Sequence, residues 1–253
     1  MEHGVPAASA HAAPASLPRV PCLSLEVCLA TWVSARLPCF DLLPTLRLEL
    51  AAESIPQVAD VSARLRDLTG WSIKPVAGLL HPRDFLNGLA FRVFHSTFYL
   101  RSPRSPGYTP EPDLVHELIG HVPLLSHMDY AELLRLLGQA SLGASEPEIR
   151  HLTRIYWYTA EYGLVWQEGL LRAFGAGILS SAGELSWLAS GNATVKPLDC
   201  YRRLPKISYK NGFQPLYFSV PSFRAGREIL SDFAAAMIRD REAGRTVMDR
   251  VSD

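Results

Sequence analysis

Residues 110 to 123 constrain the fold more than any other part of this chain. Within nine positions they supply two histidines and two carboxylates: Asp113, His116, Glu117 and His121. On an ideal α-helix, five residues rotate a side chain by about 140° beyond a full turn, so His116 and His121 would point in different directions. Both imidazoles can reach one ion only if the helix ends or distorts between them, and Gly120 and Pro123 favour such a change.

Glu161 is the best candidate for a third ligand. It lies in the segment from Ile155 to Leu164, which is otherwise aromatic and apolar and has a helical pattern. An unpaired carboxylate would be expensive to bury in such a segment, and coordination of a metal would remove that cost. Two histidines and one carboxylate are the ligand set of oxygen-activating non-haem Fe(II) centres. The sequence therefore predicts a mononuclear iron site formed by His116, His121 and Glu161.

Other interpretations of these residues stay open at this point. The two histidines could form a hydrogen-bonded pair at a helix end, and Glu161 could lie on an exposed helix face. The chain could also be a zinc hydrolase in which Glu117 acts as general base on a metal-bound water. Against the hydrolase, the common zinc-protease motif spaces its histidines four residues apart, whereas this chain has five.

Composition limits the partners that this chain can bind. The 253 residues include 25 Lys and Arg against 25 Asp and Glu. Because these charges are scattered, we expect neither nucleic acid nor a membrane as a partner, which leaves a small molecule. The four cysteines lack metal-ligand spacing, and the apolar stretch 22–33 is shorter than the roughly 18 residues of a membrane span. With no signal-peptide pattern either, we expect free thiols and a cytoplasmic protein.

The apolar periodicity predicts a mostly α fold with a minor β component (α+β), in one catalytic domain over residues 55–253. Residues 1–20, rich in Ala and Pro, are expected to be a disordered or poorly ordered tail, and 21–54 a divergent N-terminal segment. Helices are predicted at about 56–70, 82–94, 113–121, 129–138, 146–168 and 223–240. Extended segments are predicted at about 71–80, 173–179, 206–209 and 214–220.

Several blocks of sequence, taken in order, resemble one known family. These blocks are 75–80 with 83–85, 91–95, 108–113 leading into the histidine segment, 141–144, 156–157, 175–177 with 180–181, and 213–217. Together they resemble the pterin-dependent aromatic amino acid hydroxylases, which include phenylalanine, tyrosine and tryptophan hydroxylases. The resemblance runs from about Ile55 to Ala236 and is greatest to the short bacterial form of phenylalanine 4-hydroxylase.

The resemblance implies a monooxygenase that uses Fe(II), a tetrahydropterin such as tetrahydrobiopterin, and O₂ to hydroxylate an aromatic amino acid. It implies pterin contacts at Gly78, Leu79, Leu80, Phe85, His95, Glu117 and Tyr156. Phe85 would stack on the pterin, and His95 would lie nearby through water. Phe85 by itself is more often a core residue, so this assignment depends on the resemblance.

The resemblance also implies a substrate site formed by Arg101, Thr109, Pro112, Trp157 and Ser180. Arg101 would bind the substrate carboxylate through its planar guanidinium, with Thr109 and Ser180 assisting. Trp157 and Pro112 would enclose the aromatic ring, and Asp113 would contribute to catalysis by orienting the iron ligands from behind. Without the resemblance, Arg101 could equally be a solvated loop arginine and Trp157 a core residue.

Phenylalanine, converted to tyrosine, is the first choice of substrate, because His95 and the pair Tyr156 and Trp157 are most similar to phenylalanine hydroxylases. Three departures from the family pattern bear on this choice. Tyr162 stands where phenylalanine is usual, His81 and Pro82 replace small polar residues, and the region before residue 55 barely matches. Because Tyr162 would add a hydroxyl near the substrate ring and take part in catalysis, hydroxylation at another ring position, or of tryptophan, is an alternative.

An inactive relative that senses aromatic amino acids or pterin is an alternative from a different class of protein. The presence of all three ligands argues against a sensor, while the divergent N-terminal region keeps it open. The sequence shows no counterpart of the regulatory domain and tetramer-forming helix of the animal enzymes. We therefore expect a monomer.

Overall fold

A computed structural model describes residues 56–102, 111–206 and 212–253, and helices predominate within these ranges. The α-helices are α1 (Val58–Thr69), α2 (Pro82–Ala90), α3 (Leu114–His116), α4 (Met128–Ser141), α5 (Glu146–Tyr156), α6 (Ala176–Leu179), α7 (Ala182–Ala189) and α8 (Phe223–Glu242). Two π-helical turns (Glu117–His121 and Trp157–Glu161) continue α3 and α5. The predicted fold class is confirmed, whereas the predicted segments 1–20 and 21–54 lie outside the described residues.

In the described ranges, six strands form two sheets. The strands are β1 (Ser72–Val76), β2 (Val93–Thr97), β3 (Gly163–Gln167), β4 (Leu170–Ala173), β5 (Thr194–Pro197) and β6 (Leu216–Val220). β1 and β2 pair in parallel, with Lys74 opposite His95. The other sheet has the order β4-β3-β6-β5, in which β3 and β4 are antiparallel while β3 and β5 run parallel to β6.

Local chemistry sets several element ends. Gly70 closes α1 in the left-handed region with φ of 76°, a conformation that glycine adopts without strain. Pro82 opens α2, where the preset φ of proline suits the first helical position. Ser222 begins α8 by accepting a hydrogen bond from the backbone N–H of Ala225 at 3.0 Å.

The main core lies around α4, which packs against both α2 and α8. Large side chains from separate parts of the chain fill this core, among them Trp71, Tyr130, Phe174 and Phe233. Cys200 is a free, buried thiol, and the other three cysteines lie outside the described residues. No helix in the described ranges is both long and apolar enough to cross a membrane.

Three predicted boundaries were wrong. The helix predicted at 82–94 ends at residue 90, because Arg92 adopts φ of 55° and the chain then enters β2. The helix predicted at 146–168 ends at Glu161, because the residues from Gly163 onward pair with β4 and β6 as β3. The extended segment predicted at 173–179 is mostly α6.

Other predicted elements were placed correctly. Residues 214–220 contain β6, while 129–138 and 223–240 fall within α4 and α8. Residues 71–80 contain β1. Most of the segment predicted at 206–209 lies outside the described residues.

Candidate metal centre

The predicted distortion between the two histidines takes the form of a π-helical turn. The backbone N–H of Val122 donates to the Glu117 carbonyl at 2.9 Å, five residues back. Such a turn is wider than an α-helical turn and often occurs at functional sites. It brings side chains five residues apart to the same side, so His116 and His121 face one another.

Gly120 allows a second element to approach this turn. A Cβ at Gly120 would lie 2.5 Å from the Cβ of Ala176, so only glycine lets α6 pack this closely. The second π-helical turn repeats the arrangement, since the N–H of Tyr162 donates to the Trp157 carbonyl at 2.9 Å. It ends at Glu161, which faces the two histidines.

The three predicted ligand residues converge. The Nε2 atoms of His116 and His121 are 3.1 Å apart, and the Nε2 atom of His121 is 3.0 Å from a carboxylate oxygen of Glu161. The other Glu161 oxygen lies 3.5 Å from the Nε2 atom of His116. All three donor atoms lie within 4.8 Å of one another, and no other such cluster occurs among the described residues.

The electrostatics of this cluster suit a cation. Burial lowers the pKa of His116 to about 4, which leaves its imidazole neutral at pH 7. Burial alone would raise the pKa of Glu161, but His121 and His116 outweigh it and hold that pKa at about 2. Burial alone would lower the pKa of His121, but Glu161 in turn raises it, so a cation bound here would take the place of the proton that His121 and Glu161 share. This donor set fits Fe(II) and leaves coordination positions open.

Ser180 orients His116 from behind. Its hydroxyl donates to the Ala176 carbonyl at 2.7 Å and lies 2.8 Å from the Nδ1 atom of His116. Because that hydroxyl proton is already used, Ser180 accepts from Nδ1–H, and the Nε2 lone pair of His116 is available to a metal. Sequence analysis assigned Ser180 to the substrate and did not anticipate this contact.

Arg101 and Asp113 form a buried ion pair next to the histidines. The guanidinium donates to the two carboxylate oxygens at 2.9 and 2.7 Å, and Asp113 also accepts from the backbone N–H groups of Arg101 and His116 at 2.7 and 3.1 Å. Burial opposes ionisation of Asp113, but these donors outweigh it and lower its pKa. Asp113 thus fixes both the plane of Arg101 and the first turn before the ligands.

Glu117, in the first π-helical turn, contacts Thr97 at the end of β2. It is buried, and burial raises its pKa to about 7. One of its oxygens accepts from the backbone N–H and the hydroxyl of Thr97 at 3.2 and 3.3 Å. Thr97 was not identified from the sequence, because no local pattern distinguishes a strand-end threonine that contacts a distant glutamate.

Two of the predicted pterin residues, Phe85 and Tyr156, contact each other. Phe85 contacts the ring of Tyr156 edge-on, with ring centroids 5.1 Å apart, and Tyr156 stacks on His121 at 6.1 Å. Leu79, in the connection from β1 to α2, is 71% exposed although apolar. The Nδ1 atom of His95 is buried and has no hydrogen-bond partner among the described residues.

Trp157 and Pro112, which were predicted to enclose the substrate ring, make separate contacts. The rings of Trp157 and Tyr162 are 4.7 Å apart, at the two ends of the second π-helical turn. Tyr162 rests against Gly177, where a Cβ would lie 2.6 Å from its ring. The carbonyl of Pro112 accepts from the hydroxyl of Thr97 at 2.9 Å. Thr109 lies outside the described residues.

Comparisons with known proteins agree with this geometry. Residues 37–244 match the family model for biopterin-dependent aromatic amino acid hydroxylases. A chloroplastic phenylalanine 4-monooxygenase of Chlamydomonas reinhardtii is 54% identical over 183 residues, which cover 72% of this chain and 51% of that relative. A tryptophan 5-hydroxylase of Xenopus laevis is 49% identical over 187 residues, covering 74% of this chain and 39% of that relative. The chain spans about half the length of the first of these curated relatives.

Solved structures are similar over more of their length. The apo phenylalanine hydroxylase of Colwellia psychrerythraea 34H has a TM-score of 0.76 and 28% identity, covering 89% of this chain and 87% of that one. A Chromobacterium violaceum phenylalanine hydroxylase, with bound iron(III) and 7,8-dihydrobiopterin, has a TM-score of 0.76 and 32% identity. That match covers 89% of this chain and 81% of the other.

Proposed function

This chain belongs to the biopterin-dependent aromatic amino acid hydroxylase family, and on that basis we propose that it is an Fe(II)- and tetrahydropterin-dependent monooxygenase that converts L-phenylalanine to tyrosine. The observation that carries the proposal is the convergence of His116, His121 and Glu161 from two π-helical turns. A zinc hydrolase also uses histidines and a carboxylate, but the family membership does not support one.

The iron and the tetrahydropterin would together supply the activation of O₂ that ring hydroxylation requires. His116, His121 and Glu161 would hold the metal, with Ser180 fixing the orientation of His116. The apolar and aromatic side chains around these ligands would limit the access of water, so that the oxidant is not wasted.

The pterin side would be formed by residues of β1, α2, β2 and the π-helical turns. Phe85 and Tyr156, which contact each other edge-on, offer aromatic surface for stacking. Glu117 is a hydrogen-bonding group whose raised pKa, about 7, suits exchange of a proton near neutral pH. Gly78, Leu79, Leu80 and His95 would complete this side.

The substrate side would be organised around Arg101. Two hydrogen bonds to Asp113 fix the orientation of its planar guanidinium, which would bind a second carboxylate, that of the amino acid. Thr109 and Ser180 would assist this contact. Trp157 and Pro112 would flank the aromatic ring, and holding it in one orientation selects the carbon that reacts.

Phenylalanine is proposed as the substrate because relatives at 54% identity are named phenylalanine 4-monooxygenases. The contact of Tyr162 with Trp157 favours a second candidate, in which the additional hydroxyl directs attack to another ring carbon or admits tryptophan. We also propose that the protein is a monomer in the cytoplasm. Light scattering of the purified chain and imaging of the tagged full-length protein would check these two points.

Anaerobic reconstitution tests the proposal. The full chain is loaded with Fe(II), mixed with tetrahydrobiopterin and each of phenylalanine, tyrosine and tryptophan, and then exposed to O₂. Chromatography should find tyrosine from phenylalanine, formed only when both iron and pterin are present. meta-Tyrosine or a hydroxytryptophan would keep the family chemistry and replace the substrate assignment, whereas no product despite bound iron would contradict the proposal.

The variant Tyr162→Phe tests the role of the tyrosine hydroxyl. If that hydroxyl directs attack, the ratio of hydroxylated products should change by about two- to tenfold, the effect of one hydrogen bond. Tyr158→Phe is the matched control, because Tyr158 is buried against Phe218 on the same π-helical turn. An unchanged product ratio in Tyr162→Phe would remove the second candidate.

A further inference from the structure

We propose that Glu184 is a positioning residue, which fixes the indole of Trp157 through Gln214 and thereby sets which aromatic amino acid the site prefers. This inference rests on the proposed function, because it concerns the wall of the same substrate site. Neither Glu184 nor Gln214 belongs to the ligand, pterin or substrate residues assigned above.

The sequence at the start of α7 makes Glu184 unusual. Ser181 and Glu184 have the spacing of a capping box, in which the glutamate normally accepts from the backbone N–H of the serine. Here the Ser181 hydroxyl accepts from the N–H of Glu184 at 3.2 Å, but the Ser181 N–H donates to the carbonyl of Ile178. The carboxylate of Glu184 is thereby available for contacts away from its own helix end.

These contacts lie on the segment that leads into β6. One oxygen of Glu184 accepts from the hydroxyl of Tyr217 at 2.6 Å and from the backbone N–H of Gln214 at 2.9 Å. Glu184 is 6% exposed, and burial raises its pKa although both donors oppose the shift. A buried carboxylate that accepts from neutral donors such as these is unfavourable for stability. The position of Glu184 therefore points to a role in holding Gln214.

Gln214 is held from a second direction and reaches the substrate wall. Its backbone carbonyl accepts from the indole N–H of Trp187 at 2.9 Å. Its side-chain oxygen accepts from the indole N–H of Trp157 at 3.4 Å. Phe213, the residue before it, stacks on Trp187 with ring centroids 5.9 Å apart. Gln214 is therefore clamped between α7 and Trp157.

The orientation of Trp157 controls the space for a substrate ring. The indole also contacts Tyr162, with ring centroids 4.7 Å apart, so rotation of Trp157 would displace Tyr162 as well. Loss of the Glu184 carboxylate would remove the acceptor of the Gln214 backbone N–H, which loosens the side-chain contact of Gln214 with Trp157 and lets the indole tilt. Phenylalanine and tryptophan differ in the width of their rings, so a tilted wall should affect their binding unequally.

The test compares Glu184→Ala with the conservative Glu184→Gln, whose amide oxygen can still accept from Tyr217 and Gln214. Calorimetry on the iron-loaded, anaerobic full chain measures the dissociation constants of phenylalanine, tryptophan and tetrahydrobiopterin. Glu184→Ala should change the phenylalanine-to-tryptophan ratio by about fivefold, the effect of one hydrogen bond. The pterin constant and the iron content should stay unchanged, and Glu184→Gln should remain within about twofold of the wild type.

Gln214→Leu provides an independent test, because it removes the acceptor of the Trp157 indole and keeps the backbone N–H that Glu184 binds. It should shift the same ratio in the same direction, and it decides the matter if Glu184→Ala does not fold. An unchanged ratio, or equal weakening of both amino acids as a purely structural role would give, overturns the inference. If the wild-type chain binds amino acids but forms no product, only the proposed function is contradicted. If it binds neither phenylalanine nor tryptophan, both the proposed function and this inference are contradicted.

Discussion

Two glutamates at opposite ends of one helical stretch have opposite surroundings. Glu148, in the first turn of α5, is buried, and its nearest donors are neutral: the N–H and hydroxyl of Ser145 at 2.7 and 2.9 Å and the hydroxyl of Thr246 at 3.1 Å. Glu161, at the end of the π-helical turn that continues α5, faces the imidazoles of His116 and His121. The first carboxylate completes a helix end, whereas the second completes a site only when a cation joins it. Stability and reactivity are thus separated along a single helix.

Glu161→Gln should have the largest effect on iron binding and activity. A neutral amide is a poor ligand, so we expect iron affinity and product formation to fall by at least about a hundredfold, beyond the loss typical for residues that contact ligands. The metal-free protein should also lose stability, because glutamine does not replace the carboxylate charge that pairs with His121. Metal analysis after gel filtration checks the first point, with Glu148→Gln as the matched control. Stoichiometric iron in Glu161→Gln would refute the ligand assignment.

Asp113→Asn should lower stability and also weaken binding of the amino acid. Asp113 pairs with the buried Arg101 and accepts from the backbone N–H of His116. The substitution removes the negative charge that pairs with the buried guanidinium of Arg101, and breaking a buried ion pair typically costs about 3 kcal/mol of stability. The KM for the amino acid should rise as Arg101 loses its fixed plane. Urea unfolding and steady-state kinetics measure the two effects. Arg135→Ala, which breaks a more exposed pair with Glu132, should cost less than about 1 kcal/mol.

Glu148→Ala should affect only stability. It leaves the N–H of Ser145 and the hydroxyl of Thr246 without their acceptor, and we expect the free energy of unfolding to fall by about 1 to 2 kcal/mol. Iron content and kcat should match the wild type. Urea titration and metal analysis on one preparation test both statements, and a loss of iron in this variant would contradict the separation of roles.

The smallest effect should come from His151, in the middle of the same helix. Its buried imidazole donates to the carbonyl of Cys200 at 2.8 Å, and burial lowers its pKa. The unfolded chain therefore binds a proton more readily than the folded chain. The contribution of His151 is complete above the unfolded pKa of about 6.5, and it is lost as pH falls through the lower, folded value. His151 should contribute a slope of at most about 1.4 kcal/mol per pH unit below pH 6.5, in addition to that of His116, whose pKa is lowered in the same direction.

Urea unfolding at a series of pH values measures this slope. His151→Gln should flatten it, because glutamine can donate to the Cys200 carbonyl without titrating. An equal slope in the wild type and in this variant would assign the pH dependence to other groups.

Sequence reasoning was most successful where residue chemistry is restrictive. The convergence of His116, His121 and Glu161 was predicted because two histidines and a glutamate in apolar surroundings have few other uses. The end of α5 was missed, because β3 pairs with β6 about 50 residues later and the pattern of residues 146–168 carries no trace of that pairing. The two Ser-x-x-Glu sequences, beginning at Ser145 and Ser181, show the same limit. They look alike, yet only the first folds back on its own serine.

The assigned roles of the pterin and substrate residues remain predictions. Their clustering depends on tertiary contacts such as that between Thr97 and Glu117, which are 20 positions apart. Spacing alone carries no sign of contacts between such distant positions.

The π-helical turn at Glu117–His121 makes this site sensitive to the length of its own segment. Removing a single residue between the histidines would convert their spacing from five to four, which an ordinary α-helix presents on one face. Most surface loops tolerate insertions and deletions. In this turn, however, the same changes would alter the number of residues per turn and therefore the directions of the two histidines. A random library of single-residue indels should tolerate changes between α7 and β5 and exclude nearly all of them between His116 and Pro123.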